Sequence, residues 1–113
     1  MKKLPHKFRV IVVDDERDIL DSIQEMLHGQ ENIEILTAQT AELAIALLPQ
    51  VDGVIADVVI PNAPELDRIF RNSGKPIIRM SGKINRATNL ALPKPFTAQQ
   101  IKESIVMLKF FSP

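Results

Sequence analysis

The chain has 113 residues, which is enough for one domain with its own hydrophobic core, and it contains no cysteine. Disulfides, thiolate metal sites and thiol nucleophiles are therefore excluded. Fourteen basic and fourteen acidic residues cancel, which argues against nucleic-acid binding driven by net charge. No apolar run is long enough to span a membrane, and no apolar segment of a signal peptide follows the first lysines. We therefore expect a single cytoplasmic domain over residues 1–113.

Strand and helix patterns alternate along the first two thirds of the chain. The segment "FRVIVVDD" predicts a strand buried on both faces, and "ERDILDSIQEMLHG" follows with apolar residues at helical spacing. The strand "IEILTA" precedes a short helix, "AELAIALLP", which we expect Thr40 to cap and Pro49 to end. A third strand is predicted in "GVIADVVI". A third helix follows in "PELDRIFRNSG", with Pro64 in its first turn and Gly74 at its end.

The C-terminal part continues the alternation with two strands and a helix. The strands are "PIIRMS" and "NLALP", and the helix is "FTAQQIKESIVMLKFF", opened by a capping box of Thr97 and Gln100. The inward stripe of this helix is predicted to be Ile101, Ile105 and Leu108. This order of elements favours an α/β fold of the flavodoxin-like type. It predicts a doubly wound, five-stranded parallel sheet in the order 2-1-3-4-5.

The fourth crossover is unusually short, because only residues 83–88 separate the two last predicted strands. A parallel crossover normally takes a dozen or more residues and a helix. Six residues extend over at most about 20 Å, which is roughly the length of one strand. We therefore predict that the helix of this crossover is missing or reduced to one turn. Its loss is expected to uncover four apolar side chains at this edge of the sheet: Ile77, Ile78, Leu90 and Leu92.

The last helix is apolar well beyond its inward stripe. The additional apolar residues are Val106, Met107, Phe110 and Phe111. Uncovered apolar surface of this kind is typical of an interface. It favours a homodimer through the face formed by the fourth strand, fifth strand and last helix, or a partner helix that docks there. The alternative is that neighbouring loops fold over the surface.

Polar residues follow four of the predicted strands where the strands end. They are Asp14, Asp15 and Glu16 after the first strand, Asp57 in the third, Ser81 after the fourth and Lys94 after the fifth. Each one alone has an ordinary structural explanation as a helix cap, a turn residue or a solvated surface lysine. Carboxylates grouped at one sheet edge repel one another, and a hard divalent cation such as Mg²⁺ relieves that repulsion. A lysine and a hydroxyl opposite them suit the oxygens of a phosphoryl group.

The segments "VIVVDDE", "ADVVIP", "IIRMSG" and "LPKPF" resemble, in this order, the marker segments of the receiver domain (CheY-like) of two-component response regulators. The resemblance covers residues 8–111 and implies a stand-alone phosphorelay receiver rather than a classical enzyme. Its implied partner is a sensor histidine kinase or a histidine phosphotransfer protein, with no nucleic acid and no membrane. Asp57 would accept the phosphoryl group, and Lys94 and Ser81 would contact it. Mg²⁺ would be held by Asp14, Asp15, Asp57 and the Val59 carbonyl.

The chain departs from the family at Ala91, where an aromatic residue usually takes part in the conformational switch. This departure favours an alternative, a degenerate receiver that acts as a phosphorylation-independent interaction module. A small phosphatase or nucleotide-binding protein on the same fold is a third reading. It is opposed by the lack of a Gly-rich loop after the first strand and of a spaced D-x-D pair.

Overall fold

The computed structural model describes residues 7–30, 32–57, 63–81, 91–93 and 97–111. Within these ranges the chain forms five strands and four α-helices. In chain order they are β1 Phe8–Val13, α1 Arg17–Met26, β2 Ile33–Ala38, α2 Ala41–Leu47, β3 Gly53–Asp57, α3 Ala63–Asn72, β4 Ile77–Ser81, β5 Ala91–Pro93 and α4 Ala98–Phe111. A turn of 3-10 helix, Leu48–Gln50, follows α2. None of the helices in these ranges has the length and apolar character that crossing a membrane requires.

The strands form one parallel sheet in the order β2-β1-β3-β4-β5, which confirms the predicted flavodoxin-like topology. Val13 at the end of β1 is in register with Ala56 of β3, and Asp57 is in register with Met80 of β4. Because all strands run in the same direction, their carboxyl ends meet at one edge of the sheet. The register therefore brings Asp14, Asp57 and Ser81 to that edge.

Two apolar layers cover the sheet, one on each face. Helices α1 and α4 cover one face. The core that they form with the sheet consists of Val10, Val12, Leu20, Ile23, Leu27, Ile55, Ile78, Met80, Ile101, Ile105 and Leu108. Helices α2 and α3 cover the opposite face, with Ile11, Val13, Ala38, Ala41, Ala44, Leu48, Val51, Val54, Ala56, Leu66 and Phe70. Burial on both faces explains why the strands read as continuous apolar runs rather than as alternating patterns.

The predicted helix caps are present. The Thr40 hydroxyl oxygen accepts a hydrogen bond from the Leu43 N–H at 3.2 Å, at the start of α2. Thr97 and Gln100 form the reciprocal capping box before α4: the Gln100 N–H donates to Thr97 Oγ1 at 3.1 Å, and the Thr97 N–H donates to Gln100 Oε1 at 2.8 Å. Gly74, after α3, has a φ of 77°, a conformation that glycine adopts without steric cost.

Burial at the fourth and fifth strands corrects one expectation. Ile78 was expected to be uncovered, but it is only 2% exposed, because strand alternation points it toward α1 and α4. Ile77 points to the opposite layer and is half-buried. The predicted loss of the crossover helix concerns residues 82–90, which also contain Leu90. These residues lie outside the described ones, as does the side chain of Leu92.

Helix α4 has one buried and one exposed apolar face. The predicted inward stripe of Ile101, Ile105 and Leu108 is at most 1% exposed. The other apolar residues of the helix face solvent, with Val106 65%, Met107 38%, Phe110 81% and Phe111 53% exposed. The rings of Phe110 and Phe111 contact each other edge to face, with their centroids 5.3 Å apart. The surplus apolar surface predicted for this helix is therefore present.

Candidate functional site

Asp14 is the first residue after β1 and is completely buried. Its backbone N–H donates to the Ala38 carbonyl oxygen at 3.1 Å, so that the pairing with β2 continues past the end of the strand. Its Oδ1 accepts a hydrogen bond from the Glu16 N–H at 2.8 Å, which closes an Asx turn leading into α1. Asp14 therefore turns the chain at the sheet edge, and the same contact holds its carboxylate there.

Asp57 ends β3 and is 3% exposed. Because Val13 and Ala56 are in register, Asp57 and Asp14 are the next residues along two adjacent strands. Burying a carboxylate is costly unless hydrogen bonds, a positive charge or a metal ion stabilises it. Two buried carboxylates at neighbouring strand ends are therefore typical of a site that binds a cation.

The carboxylates of the loop after β1 lie close together. In the described part of the chain, one oxygen from each of Asp14, Asp15 and Glu16 lies within 4.8 Å of the other two. Asp57 is not a member of this group and lies at the adjacent strand end. Asp15 and Glu16 are exposed, whereas Asp14 is buried, so an ion here would meet both fixed oxygens and water. Hard oxygen donors with access to water are the surroundings that Mg²⁺ prefers, so the donor set fits that ion.

Glu16 was not among the predicted metal ligands, although it continues the acidic run of Asp14 and Asp15. The sequence does contain this signal, since the carboxylates of three consecutive acidic residues at a tight strand-to-helix turn stay close together. The structure also assigns Glu16 a backbone role. It immediately precedes α1, and its carbonyl oxygen accepts from the N–H of Ile19 at 3.1 Å.

A chain of exposed polar contacts supports the loop after β1. Gln39 Nε2 donates to the Asp15 carbonyl oxygen at 3.5 Å, and Gln39 Oε1 accepts from Arg17 Nη1 at 3.3 Å. Arg17 Nε also donates to Asp21 Oδ1 at 3.3 Å. These contacts connect the loop that carries Asp15 with the loop that follows β2. Sequence reasoning missed Gln39 and Arg17, because 22 residues separate them along the chain.

The remaining predicted site residues are described only in part. Ser81 is the last residue of β4. Because Asp57 is in register with Met80, Ser81 lies one position further toward the carboxyl edge. Val59 and Lys94 lie outside the described residues, so their roles stay predictions.

Comparison with known proteins supports the fold. No protein-family model matches the chain, and no curated protein matches it. Solved structures, in contrast, are similar over most of its length. The signal receiver domain of an HD domain-containing protein from Pseudomonas fluorescens Pf-5 has a TM-score of 0.77 at 23% identity, covering 93% of this chain and 96% of that one.

Two further structures agree with the first. The chemotaxis response regulator CheY4 of Vibrio cholerae has a TM-score of 0.77 at 20% identity, covering 90% of this chain and 98% of that one. A response regulator receiver domain protein (CheY-like) from Methanospirillum hungatei JF-1 has a TM-score of 0.76 at 22% identity, covering 94% and 96%. The chain therefore has the receiver-domain fold of response regulators, and the resemblance seen in its sequence is confirmed at the level of fold.

Proposed function

We propose that this chain is a phosphoacceptor of two-component signalling that receives a phosphoryl group on Asp57. The observation that carries the proposal is the pair of buried carboxylates, Asp14 at 0% and Asp57 at 3% exposure, at adjacent ends of β1 and β3. The receiver fold of the similar structures supports the same class of function. Fold alone does not define a function, so the weight lies on these side chains.

The reaction needs a nucleophile and a phosphorylated donor. An oxygen of the Asp57 carboxylate attacks the phosphorus of a phosphohistidine on a sensor histidine kinase or a histidine phosphotransfer protein. The bond from phosphorus to the histidine nitrogen breaks, the nitrogen keeps the electron pair, and an acyl phosphate forms on Asp57. The chain therefore accepts a group and holds it, and its output is contact with another protein.

The predicted site residues suit a phosphoryl group with a divalent cation. Asp14, Asp15 and Asp57, with the carbonyl of Val59, are the residues that would hold Mg²⁺. A bound Mg²⁺ would neutralise negative charge on the transferring phosphoryl oxygens. Ser81 and Lys94 are proposed to contact the remaining oxygens, through a hydroxyl donor and an ammonium group respectively.

Labelling with acetyl phosphate and Mg²⁺ tests this function without a partner protein. We expect the wild type to gain one phosphoryl group, measured by intact mass, and to gain none when a chelator removes the cation. Asp57→Asn should not be labelled, because an amide does not act as the nucleophile. Asp18→Asn, an acidic-to-amide change at an exposed position of α1, is the matched control and should label normally. Undiminished labelling of Asp57→Asn would contradict the assignment.

The exposed face of α4 favours a second candidate function. Val106 and Phe110 are 65% and 81% exposed, although both are apolar. Exposed apolar surface of this kind marks a contact with another protein. Under this alternative the chain is a degenerate receiver, and α4 binds a second copy or a partner helix whether or not Asp57 is phosphorylated.

A further inference from the structure

A charged residue interrupts the apolar pattern of β4. Arg79 is half-buried between Ile78 and Met80, which are 2% and 0% exposed. Strands of a parallel sheet that is covered on both faces are normally apolar throughout. Arg79 therefore brings a positive charge into the strand that ends at the candidate site, two residues before Ser81.

The register surrounds Arg79 with small residues. It is in register with Ala56 of β3 and with Ala91 of β5. By strand alternation Arg79 lies on the face of Ile77, which packs with the layer of α2 and α3. The small side chain of Ala56 leaves room beside it for the aliphatic part of the Arg79 side chain.

The same register brings Arg79 close to the proposed phosphoacceptor. Asp57 follows Ala56, so Arg79 is one residue behind Asp57 on the adjacent strand. With strands about 4.8 Å apart and a rise of about 3.3 Å per residue, the two Cα atoms lie roughly 6 Å from each other. Ser81 lies two residues, or about 7 Å, further along β4. An arginine side chain covers a comparable length, so its guanidinium reaches the carboxyl edge when the side chain leans along the strand.

The two side chains start on opposite faces of the sheet. Ala56 belongs to the layer of α2 and α3, so Asp57, the next residue, alternates toward the other layer. A phosphoryl group on Asp57 extends beyond the end of the strand, where side chains from both faces can meet it. Arg79 would approach that group along the side that carries Ser81.

We propose that Arg79 is a phosphoryl-binding residue, which places its guanidinium against the anion formed on Asp57. This proposal rests on the proposed function. A phosphoryl group adds negative charge to an edge that already carries several carboxylates, so a cation supplied by Arg79 stabilises the phosphorylated state. The planar guanidinium suits this role because it donates two parallel hydrogen bonds to phosphate oxygens, whereas lysine acts as a point charge.

Beryllofluoride, which mimics a phosphoryl group on a carboxylate, provides the test. Its affinity should be measured, with Mg²⁺ present, for the wild type, Arg79→Met, Arg79→Lys and the control Arg68→Met at an exposed position of α3. We expect about a tenfold loss for Arg79→Met, as for removal of a charge-assisted hydrogen bond, and a smaller loss for Arg79→Lys. Arg68→Met should match the wild type. The affinity for Mg²⁺ alone should not weaken in any variant.

A purely structural role of Arg79 would lower the thermal midpoint of Arg79→Met but leave beryllofluoride affinity unchanged in the folded protein. That result overturns the proposal. If Arg79→Met does not fold, wild-type affinity and wild-type acyl phosphate lifetime in Arg79→Lys overturn it instead. Failure of the wild type to be labelled by acetyl phosphate overturns the proposed function, and this inference with it. Labelled wild type with an unaffected Arg79 variant overturns this inference alone.

Discussion

Asp14 and Asp57 come directly after two residues that are in register, Val13 of β1 and Ala56 of β3, and both carboxylates are buried. The parallel register of the two central strands therefore sets the spacing between a turn-forming carboxylate and the proposed phosphoacceptor. Both positions depend on backbone pairing deep in the sheet rather than on a mobile loop. A site built at the ends of rigid strands holds its groups in place before any ligand arrives.

Asp15 should matter for Mg²⁺ and little for stability. Its side chain is exposed, and one of its oxygens lies within 4.8 Å of oxygens from Asp14 and Glu16. We expect Asp15→Asn to weaken Mg²⁺ binding about tenfold or more, because a charged oxygen ligand is replaced by a neutral one. Isothermal calorimetry measures the affinity, and Asp18→Asn is again the control. Equal affinity of Asp15→Asn and wild type would count against the metal site.

Asp14 is expected to have two separable roles. Its Oδ1 accepts the Glu16 N–H at 2.8 Å, and an asparagine at this position keeps an oxygen acceptor. Asp14→Asn should therefore retain most of the stability and lose Mg²⁺ affinity. Asp14→Ala should lose both, with the free energy of unfolding in urea lower by about 1–3 kcal/mol, because a buried turn loses its acceptor. If the two variants were equally stable, the hydrogen bond from the Glu16 N–H to Asp14 would contribute nothing measurable to the free energy of unfolding.

Lys75 is predicted to stabilise the fold without taking part in the chemistry. Its Nζ donates to the carbonyl oxygens of Leu48 at 2.6 Å and Val51 at 2.7 Å, which joins the loop before β4 to the loop before β3. Replacing it by methionine keeps the stem but removes both charge-assisted hydrogen bonds. We expect Lys75→Met to lower the free energy of unfolding by about 1–3 kcal/mol. Lys102→Met, at an exposed position of α4, should have little effect.

Labelling by acetyl phosphate distinguishes Lys75 from the site residues. The folded Lys75→Met protein should be labelled at the wild-type rate, since Lys75 precedes β4 and lies at the end of the sheet opposite Ser81. A large loss of labelling at a temperature where the variant is folded would mean that the two ends of the sheet are coupled.

The exposed face of α4 is expected to mediate association. Replacing Phe110, which is 81% exposed, with serine removes apolar surface without opening the core. If this face pairs two copies, sedimentation velocity should show a dimer for the wild type and a smaller dimer fraction for Phe110→Ser. Lys102→Ser serves as a polar-surface control on the same helix. A wild type that remains monomeric at high concentration would remove the homodimer and leave a partner helix as the occupant.

Much of the fold could be predicted because the strong signals are local. Apolar runs buried on both faces mark the strands, and Thr40, Thr97 and Gln100 mark helix starts through hydrogen bonds spanning three residues. The wrong expectation for Ile78 came from treating consecutive strand residues as if they shared one face. Alternation instead buries Ile78 against α1 and α4, the layer opposite to Ile77.

The contacts that the sequence did not predict, both at the site and elsewhere in the fold, join segments that are distant along the chain. Gln39, which follows β2, accepts a hydrogen bond from Arg17 at the start of α1. Lys75 donates to carbonyl groups that lie 24 and 27 residues earlier in the chain. Such contacts leave no periodic pattern or motif, because they arise only when the sheet register is known. Asp14 and Asp57 could be found from the sequence, since Asp14 follows an apolar run and Asp57 interrupts one, and the topology sets the direction of both strands in a parallel sheet.

Mapping the modified residue tests the central claim most directly. After labelling with acetyl phosphate and Mg²⁺, borohydride reduces an aspartyl phosphate to homoserine, which peptide mass spectrometry locates in the chain. We predict homoserine at position 57 and unmodified aspartate at positions 14, 15 and 52. Homoserine at one of those other positions, with Asp57 unchanged, would contradict the account.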